Sequence, residues 1–293
     1  MKKVHKSVLL SEIIKFLNPK RNENFVDATG GEGGHSLAIL KKNLPEGKIL
    51  IIERDRILYK KLEKIVDKRS DRAIIVNDNF KNLKKIIKKN DFKNISGILF
   101  DLGMCSWHLS ESKRGFSFKK NETLDMRFDK RQKIRAVDII NKWPEKEIEH
   151  ILKEYGEERN SKKITKNIIK ERKKKLIITS DELAKIIEKA SFKRGKIHPA
   201  TRTFQALRIE VNDELENIKS VLPQAANALK KGGKLAVISF HSLEDRIVKI
   251  FFREEKNKKN IKILTKKPIM ASKKEIFDNP KSRSAKLRVA EKI

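Results

Sequence analysis

The sequence predicts an α/β protein: a mostly parallel sheet of β-α-β units, interrupted by a helical insertion of roughly ninety residues. Three observations predict it. Short apolar runs alternate with helix-periodic segments up to Asp101. The alternation stops from about Glu111 to His198, where the chain is charged and helical in pattern. It resumes at Leu215 and ends in further apolar runs.

Leu9, Leu10, Ile13, Ile14 and Leu17 recur at helical spacing. Phe25-Val26 is an apolar run entering Asp27 and a glycine cluster, the pattern of a buried strand meeting a turn. Ser36 to Lys42 reads as a helix, Lys48 to Ile52 as a second strand and Ile57 to Val66 as a helix. Ala73 to Val76 is a third strand, Leu83 to Ile87 is helical, and Ile95 to Phe100 is a fourth strand ending at Asp101. In the middle, Glu147, Ile148, Ile151 and Leu152, then Ile164, Ile168 and Ile169, keep helical spacing. Leu176-Ile177-Ile178 is the longest strand-like run there. Leu215, Ile218, Val221, Leu222, Ala225 and Leu229 form a helical stripe stopped by Gly232-Gly233, and Pro223 should kink or divide it. Leu235 to Phe240 is a fifth strand. Ser242-Leu243-Glu244-Asp245 then reads as a capping box with Ser242 as N-cap, opening a helix through Phe252. Ile261 to Leu264 and Leu287 to Val289 are closing strands. The expected division is 1–110 and 199–293 for the sheet domain and 111–198 for the insertion.

Composition narrows the class. With 38% hydrophobic and 38% charged residues the chain can bury a core beneath a heavily charged surface. No run approaches the ~18 apolar residues of a membrane span, and the basic N-terminus leads into an amphipathic stretch rather than a signal core. The lone Cys105 excludes an intrachain disulfide and a tetrahedral zinc set, and six histidines without ligand spacing give no reason to expect a metal. A cytoplasmic protein is expected. Lys+Arg 71 against Asp+Glu 39 gives +32, which suits a polyanionic partner. Lysine far exceeds arginine, however, and Asn and Ile are abundant, so AT-rich coding accounts for part of that charge.

The chemistry concentrates where strands end. Gly30, Gly31, Gly33 and Gly34 free the backbone to approach a ligand, and the following helix offers unpaired amides to an anionic group. Glu53 stands 26 residues after Asp27 (53 − 27), where a carboxylate accepts both hydroxyls of an adenosine ribose. A surface ion pair with Arg54 or Arg56 is its other reading. Phe80, after Asn77-Asp78-Asn79, suits an adenine face or the core equally. Asp101-Leu102-Gly103-Met104-Cys105-Ser106-Trp107-His108 should face the ligand, because open α/β sheets bind beyond the carboxyl ends of their strands. His35 and His108 can be ligand contacts or structural hydrogen-bonding residues. Cys105 reads as a small buried hydrophobe rather than a nucleophile.

Taken together the segments resemble one family, the bacterial 16S rRNA cytosine-N4 methyltransferases called RsmH or MraW. The likeness runs nearly end to end. It rests on His5-Lys6-Ser7-Val8-Leu9-Leu10, Asp27 to Ser36, Asp101-Leu102-Gly103, Arg114-Gly115-Phe116-Ser117-Phe118 and Leu124-Asp125-Met126-Arg127. Tyr155-Gly156-Glu157-Glu158-Arg159, His198-Pro199-Ala200-Thr201-Arg202 and Phe204-Gln205-Ala206-Leu207-Arg208 continue it. Ile238 to Arg246 and Asn279-Pro280-Lys281-Ser282-Arg283-Ser284 complete it. The resemblance implies a class I, Rossmann-like S-adenosylmethionine methyltransferase sheet with an inserted helical substrate domain. It implies a cofactor site of Gly33, Gly34, His35, Glu53, Phe80, Asp101 and His108. The implied substrate is a cytidine in the decoding region of 16S rRNA, within the small ribosomal subunit.

Two departures stand out. The family has Asp where Glu53 stands, and Val-Ser-Ser-Pro-Gln where this chain has Met104-Cys105-Ser106-Trp107-His108. A histidine cannot donate and accept in the manner of a neutral amide, so cofactor contact at His108 is the weakest transfer. Asp101, ending a strand, is the candidate catalytic residue, an acceptor for the protons of the target amine. Trp107 or Phe116 could stack on an unstacked base, or simply pack. Arg202, Arg208, Arg246 and Arg283 are candidate phosphate contacts. Two other classes remain open: an NAD-dependent oxidoreductase, and an RNA-binding assembly factor without activity.

Overall fold

A computed structural model describes residues 6–66, 71–190 and 198–293; His5, the first residue of the N-terminal family string, lies outside them. Within these residues the chain forms two compact units, 1–103 with 215–293 and 104–214.

The first unit holds the sheet. The chain runs α1 (Leu10–Leu17), β1 (Asn24–Asp27), α2 (Gly34–Lys42), β2 (Ile49–Ile52), α3 (Arg56–Ile65), β3 (Ala73–Val76), α4 (Leu83–Lys89) and β4 (Ile95–Asp101). The second unit then supplies α5 (Ser106–Ser110), α6 (Ala136–Lys142), α7 (Glu145–Glu154), α8 (Ser161–Arg172), α9 (Ser180–Ala190) and α10 (Ala200–Asn212). The chain returns through α11 (Glu214–Ala228), β5 (Leu229–Ser239), α12 (Ser242–Asn257), β6 (Ile261–Ile263), β7 (Ile269–Met270), α13 (Lys273–Asp278) and β8 (Lys286–Lys292).

The strands lie in the order β3-β2-β1-β4-β5-β8-β6, with β7 also paired to β8. The first five are parallel; β8 runs antiparallel to β5 and to both small strands. This is the Rossmann-like sheet that the resemblance implies. Its strands are apolar on both faces because helices cover both. Val26, Leu50, Ile98 and Phe100 pack with residues of α4, α11 and α12. Phe25, Ile49, Ile51 and Leu99 pack with residues of α1, α2 and α3. Strand order reverses between β1 and β4, and ligands bind open sheets outside the carboxyl ends at such a point. Asp27 and Asp101 are the two residues that end those strands.

The second unit has its own core. Phe116, Leu124, Phe128, Ile139, Ile148, Ile164, Leu183 and Phe204 are among its buried residues. Its long loop before α6 is pinned from behind: Asn212 accepts from Phe128 N and donates to Met126 O, while Arg114 Nη1 donates to the carbonyls of Arg127 and Phe128.

Several expectations shift. The insertion extends beyond 111–198 at both ends, because Phe204, Leu207 and Val211 of α10 bury within the helical core. At the other end Trp107 and His108 join a ring cluster with Phe116 and Phe128. Pro223 does not divide its helix; α11 runs through it as one element. Gly232-Gly233 does not separate helix from strand, since β5 already begins at Leu229. Leu176-Ile177-Ile178 forms no strand; the pairing there is a single bridge between Thr123 and Thr179. The capping box of α12 starts one residue earlier than expected, with His241 as N-cap and Glu244 as the returning acid. Asp245 instead forms a bidentate pair with Arg288 of β8, at 2.6 and 3.1 Å.

Candidate cofactor site and family

The loop after β1 is shaped by Asp27. Its Oδ2 accepts from Ser36 Oγ at 2.5 Å and its Oδ1 accepts from Thr29 N at 3.1 Å, so strand end, loop and α2 are tied by one buried carboxylate. Thr29 Oγ1 in turn accepts from Asp101 N at 2.7 Å, joining the ends of β1 and β4. Neither Ser36 nor Thr29 stood out in the sequence, because a hydroxyl acquires meaning only from the partner that the fold supplies.

Two glycines are required where they stand. A Cβ at Gly30 would lie 2.7 Å from Ile51 Cγ2 and 2.8 Å from Leu62 Cδ1. Gly33 caps α2 with φ of +84°, a conformation that costs any other residue strain. Gly34 then opens α2, a nine-residue helix whose first-turn amides meet the loop.

Glu53 follows β2 and is 7% exposed. Its Oε2 accepts from Gly31 N and its Oε1 from Asp55 N, both at 2.7 Å. The alternative ion pair with Arg54 or Arg56 is therefore not what fixes it; backbone amides do. Burial pushes this carboxyl up to about 7, against the lowering effect of the two amides. Asn77 Nδ2 donates to Glu53 O and locks the ends of β2 and β3 together. Phe80, half-buried, meets the ring of Phe100 edge to face at 5.7 Å and so is partly core.

Asp101 and His35 face each other. His35 is 6% exposed; its Nε2 lies 3.0 Å from Val8 O and its Nδ1 3.7 Å from Asp101 Oδ2. Donation from Nε2 to the carbonyl turns Nδ1 toward Asp101, but 3.7 Å is too long for a direct hydrogen bond. Burial pushes Asp101 up to about 6; His35 opposes this, and Asp27 and Glu244 reinforce it. Asp101 Oδ1 is buried and has no hydrogen-bond partner among the described residues. Such an orphan acceptor is costly unless a ligand satisfies it.

Six of the seven residues expected at the cofactor belong to the sheet unit; His108 belongs to the helical unit. There it is 5% exposed, its ring centroid 4.8 Å from Phe128 and 5.1 Å from Phe116, its Nδ1 3.3 Å from Cys105 Sγ. Trp107 and Phe116 are also buried, 6% and 4% exposed, with the Arg114 guanidinium 5.4 Å from the Trp107 ring. Ring packing, not presentation to a base, describes these two. Cys105 is only half-buried, unlike the core residue expected. Of the four arginines, Arg208 is spent on a buried bidentate pair with Glu214, at 2.9 and 3.0 Å, which removes it as a phosphate contact. Arg202 Nη1 donates to Glu157 O, while Arg246 and Arg283 are exposed.

A profile of the MraW methylase family matches residues 2–293. The chain belongs to the MraW methylase family. Among its relatives, the ribosomal RNA small subunit methyltransferase H of Persephonella marina is 48% identical over 292 residues, covering 99% of each chain. The protein of the same name from a Sulfurihydrogenibium species is 48% identical over 292 residues, and that of Caldicellulosiruptor saccharolyticus 46% over 305, again covering 99% of each. With this membership, a glycine loop that elsewhere serves dinucleotides belongs to a methylase sheet. Among the described residues no helix is long and apolar enough to cross a membrane.

Proposed function

We propose that the protein is an S-adenosylmethionine-dependent methyltransferase of small-subunit ribosomal RNA, acting on N4 of a cytidine in the decoding region of 16S rRNA. The observation that carries the reading is the orphaned, buried Oδ1 of Asp101 at the switch point of a methylase-family sheet. Names of relatives that match end to end support the rRNA substrate. A reducing cytoplasm, where ribosomal subunits are assembled, is the compartment that this reading requires.

The residues present fit the cofactor. Glu53 holds lone pairs beside Gly31 suited to ribose hydroxyls, and Phe80 offers an aromatic face after β3. Gly33 and Gly34, which carry no side chain, and His35 place the start of α2 at the loop. When bound, S-adenosylmethionine supplies an already activated methyl group. The protein's own work is alignment and proton handling. Cytosine's exocyclic nitrogen is a poor nucleophile because its lone pair is delocalised into the ring. The partly exposed Asp101 carboxylate accepts an amine hydrogen, which favours a pyramidal nitrogen, and takes up the proton released. His108, enclosed by rings, is not needed by this reading.

The test is incubation of the protein with labelled S-adenosylmethionine and small subunits lacking the modification, followed by mapping of the product nucleotide. One methyl per subunit at a decoding-region cytidine is expected. Absence of transfer, or tighter calorimetric binding of NAD than of S-adenosylmethionine, overturns it.

A further inference from the structure

The helical unit carries a groove of about 470 Å³ lined by Arg127, Lys133, Ile134, Arg135, Asp138, Lys142 and Trp143. That size lies within the range of small-molecule sites. None of these residues belongs to the cofactor site described above. We infer that this groove binds a nucleotide of the substrate RNA strand, its base against Trp143 and Ile134 and its phosphate on Lys133, Arg135 and Lys142. The inference rests on the rRNA reading and adds to it a place where the RNA is held.

The charges of the groove are arranged in two ranks. Arg127 is committed to the wall: it makes a bidentate pair with Asp125 at 2.7 and 2.9 Å and donates to the carbonyls of Lys130 and Gln132. Asp138 is the single acid of the lining. Arg135 grips it at 2.8 and 3.0 Å and Lys142 lies 3.0 Å away, which holds its carboxyl well below the usual carboxylate range. Asp138 therefore stays ionised and positions the Arg135 and Lys142 heads. Lys133 is exposed and makes no ion pair among the described residues. Two cations sharing one carboxylate, with Lys133 in the same lining, leave a surplus of positive charge that a phosphodiester matches.

The apolar part decides between anions. Trp143 packs against the helical core on one side and lines the groove with the other, so its ring is fixed before any ligand arrives. Ile134 lines the same groove and is 45% exposed, which adds an apolar contact within reach of a ligand. A fixed aromatic plane next to cations is the platform on which unstacked RNA bases bind. An acidic peptide would use the cations and leave the indole idle.

The experiment uses the full chain and a fluorescein-labelled single-stranded oligoribonucleotide of ~12 nucleotides from the decoding region. Binding should quench tryptophan emission in the wild type. Lys133→Gln with Lys142→Gln should raise the oligonucleotide Kd about tenfold and lower the slope of log K against log salt by ~1.4, at ~0.7 per single-strand contact. Trp143→Leu should weaken binding similarly, whereas Trp143→Phe should retain it and lose the quench. In turnover the lysine pair should raise KM for RNA and leave kcat and S-adenosylmethionine affinity unchanged. Thermal melts within a few degrees of wild type show that the variants are folded; because the lysines are exposed, that variant decides if Trp143→Leu melts early. Wild-type affinity and salt slope in the lysine variant overturn the groove and leave the methyltransferase reading standing. Polyglutamate competing as well as polyuridylate overturns the nucleotide. A wild type that neither binds nor methylates RNA overturns both.

Discussion

At the scale of single residues, two carboxyls with raised pKa values, buried Glu53 and partly exposed Asp101, should govern the pH behaviour. Glu53 moves from an ordinary 4.5 to about 7 because it is removed from water. A carboxyl whose folded value is raised stabilises the fold below its unfolded value and loses that contribution as pH rises through the folded one. The wild type without cofactor should therefore lose on the order of 3 kcal/mol from this group between pH 4 and pH 8. Glu53→Gln should flatten that part of the curve, measured by denaturant titration at each pH. The same change should raise the Kd for S-adenosylmethionine about tenfold to hundredfold, the loss of a hydrogen bond to a charged acceptor. It should also abolish any rise in affinity between pH 6 and pH 8. For Asp101, an Asn substitution keeps the shape and removes the proposed base. We expect kcat to fall about 10²-fold to 10⁴-fold while cofactor affinity changes by less than tenfold. A full rate in single turnover would exclude the proton-handling role. The placement of Glu53 and Asp101 at strand ends was legible in the sequence because each directly follows an apolar strand run. Thr29 and Ser36 were not, since their partners Asp101 N and Asp27 come together only when β1, α2 and β4 meet. His108 shows the opposite limit: its place beside the glycine loop's partner strand suggested ligand contact, yet three rings enclose it.

At the scale of elements, periodicity located every strand of the parallel sheet, because β2, β4 and the second half of β5 are buried apolar runs and half-buried β3 is apolar throughout. Its errors fell at the ends of elements, where hydrogen bonds rather than burial decide. Glu244 could have returned to any amide ahead of α12; it accepts from Phe240 N at 2.7 Å and His241 N at 3.3 Å, moving the cap back by one residue. Arg208 was misplaced for a related reason. A sequence cannot show that Glu214, six residues on, folds back across the end of α10 to accept from Arg208 Nε and Nη2. Because both partners are nearly buried, removing one strands the other charge. Arg208→Ala should cost about 3–5 kcal/mol, and Arg208→Ala with Glu214→Leu should recover part of it. Equal stability of wild type and single variant in urea titration would show that the pair is solvated.

For the whole molecule, the +32 charge announced a polyanion only weakly, because lysine-rich composition and nucleic-acid binding both produce it. What gives the charge a location is the division into two units, each with a core of its own. The insertion was visible as a loss of strand periodicity, but its limits were not, since α10 looks like any amphipathic helix until its Phe204, Leu207 and Val211 are seen to bury with α6, α7 and α9. A separate core predicts separate consequences of damage. Ile148 is fully buried in the helical unit, and Ile148→Ala removes a side chain with no polar alternative partner. The substitution should destabilise by about 2–5 kcal/mol through the lost burial and the cavity left behind. Hydrogen exchange should accelerate in α6 to α10, while β1, β2 and β4 keep their protection. Calorimetric affinity for S-adenosylmethionine should stay within twofold of wild type, because the six proposed contacts all come from the sheet unit. Exchange that accelerates equally across the sheet, or affinity lost along with the helical core, would mean that the two units unfold as one.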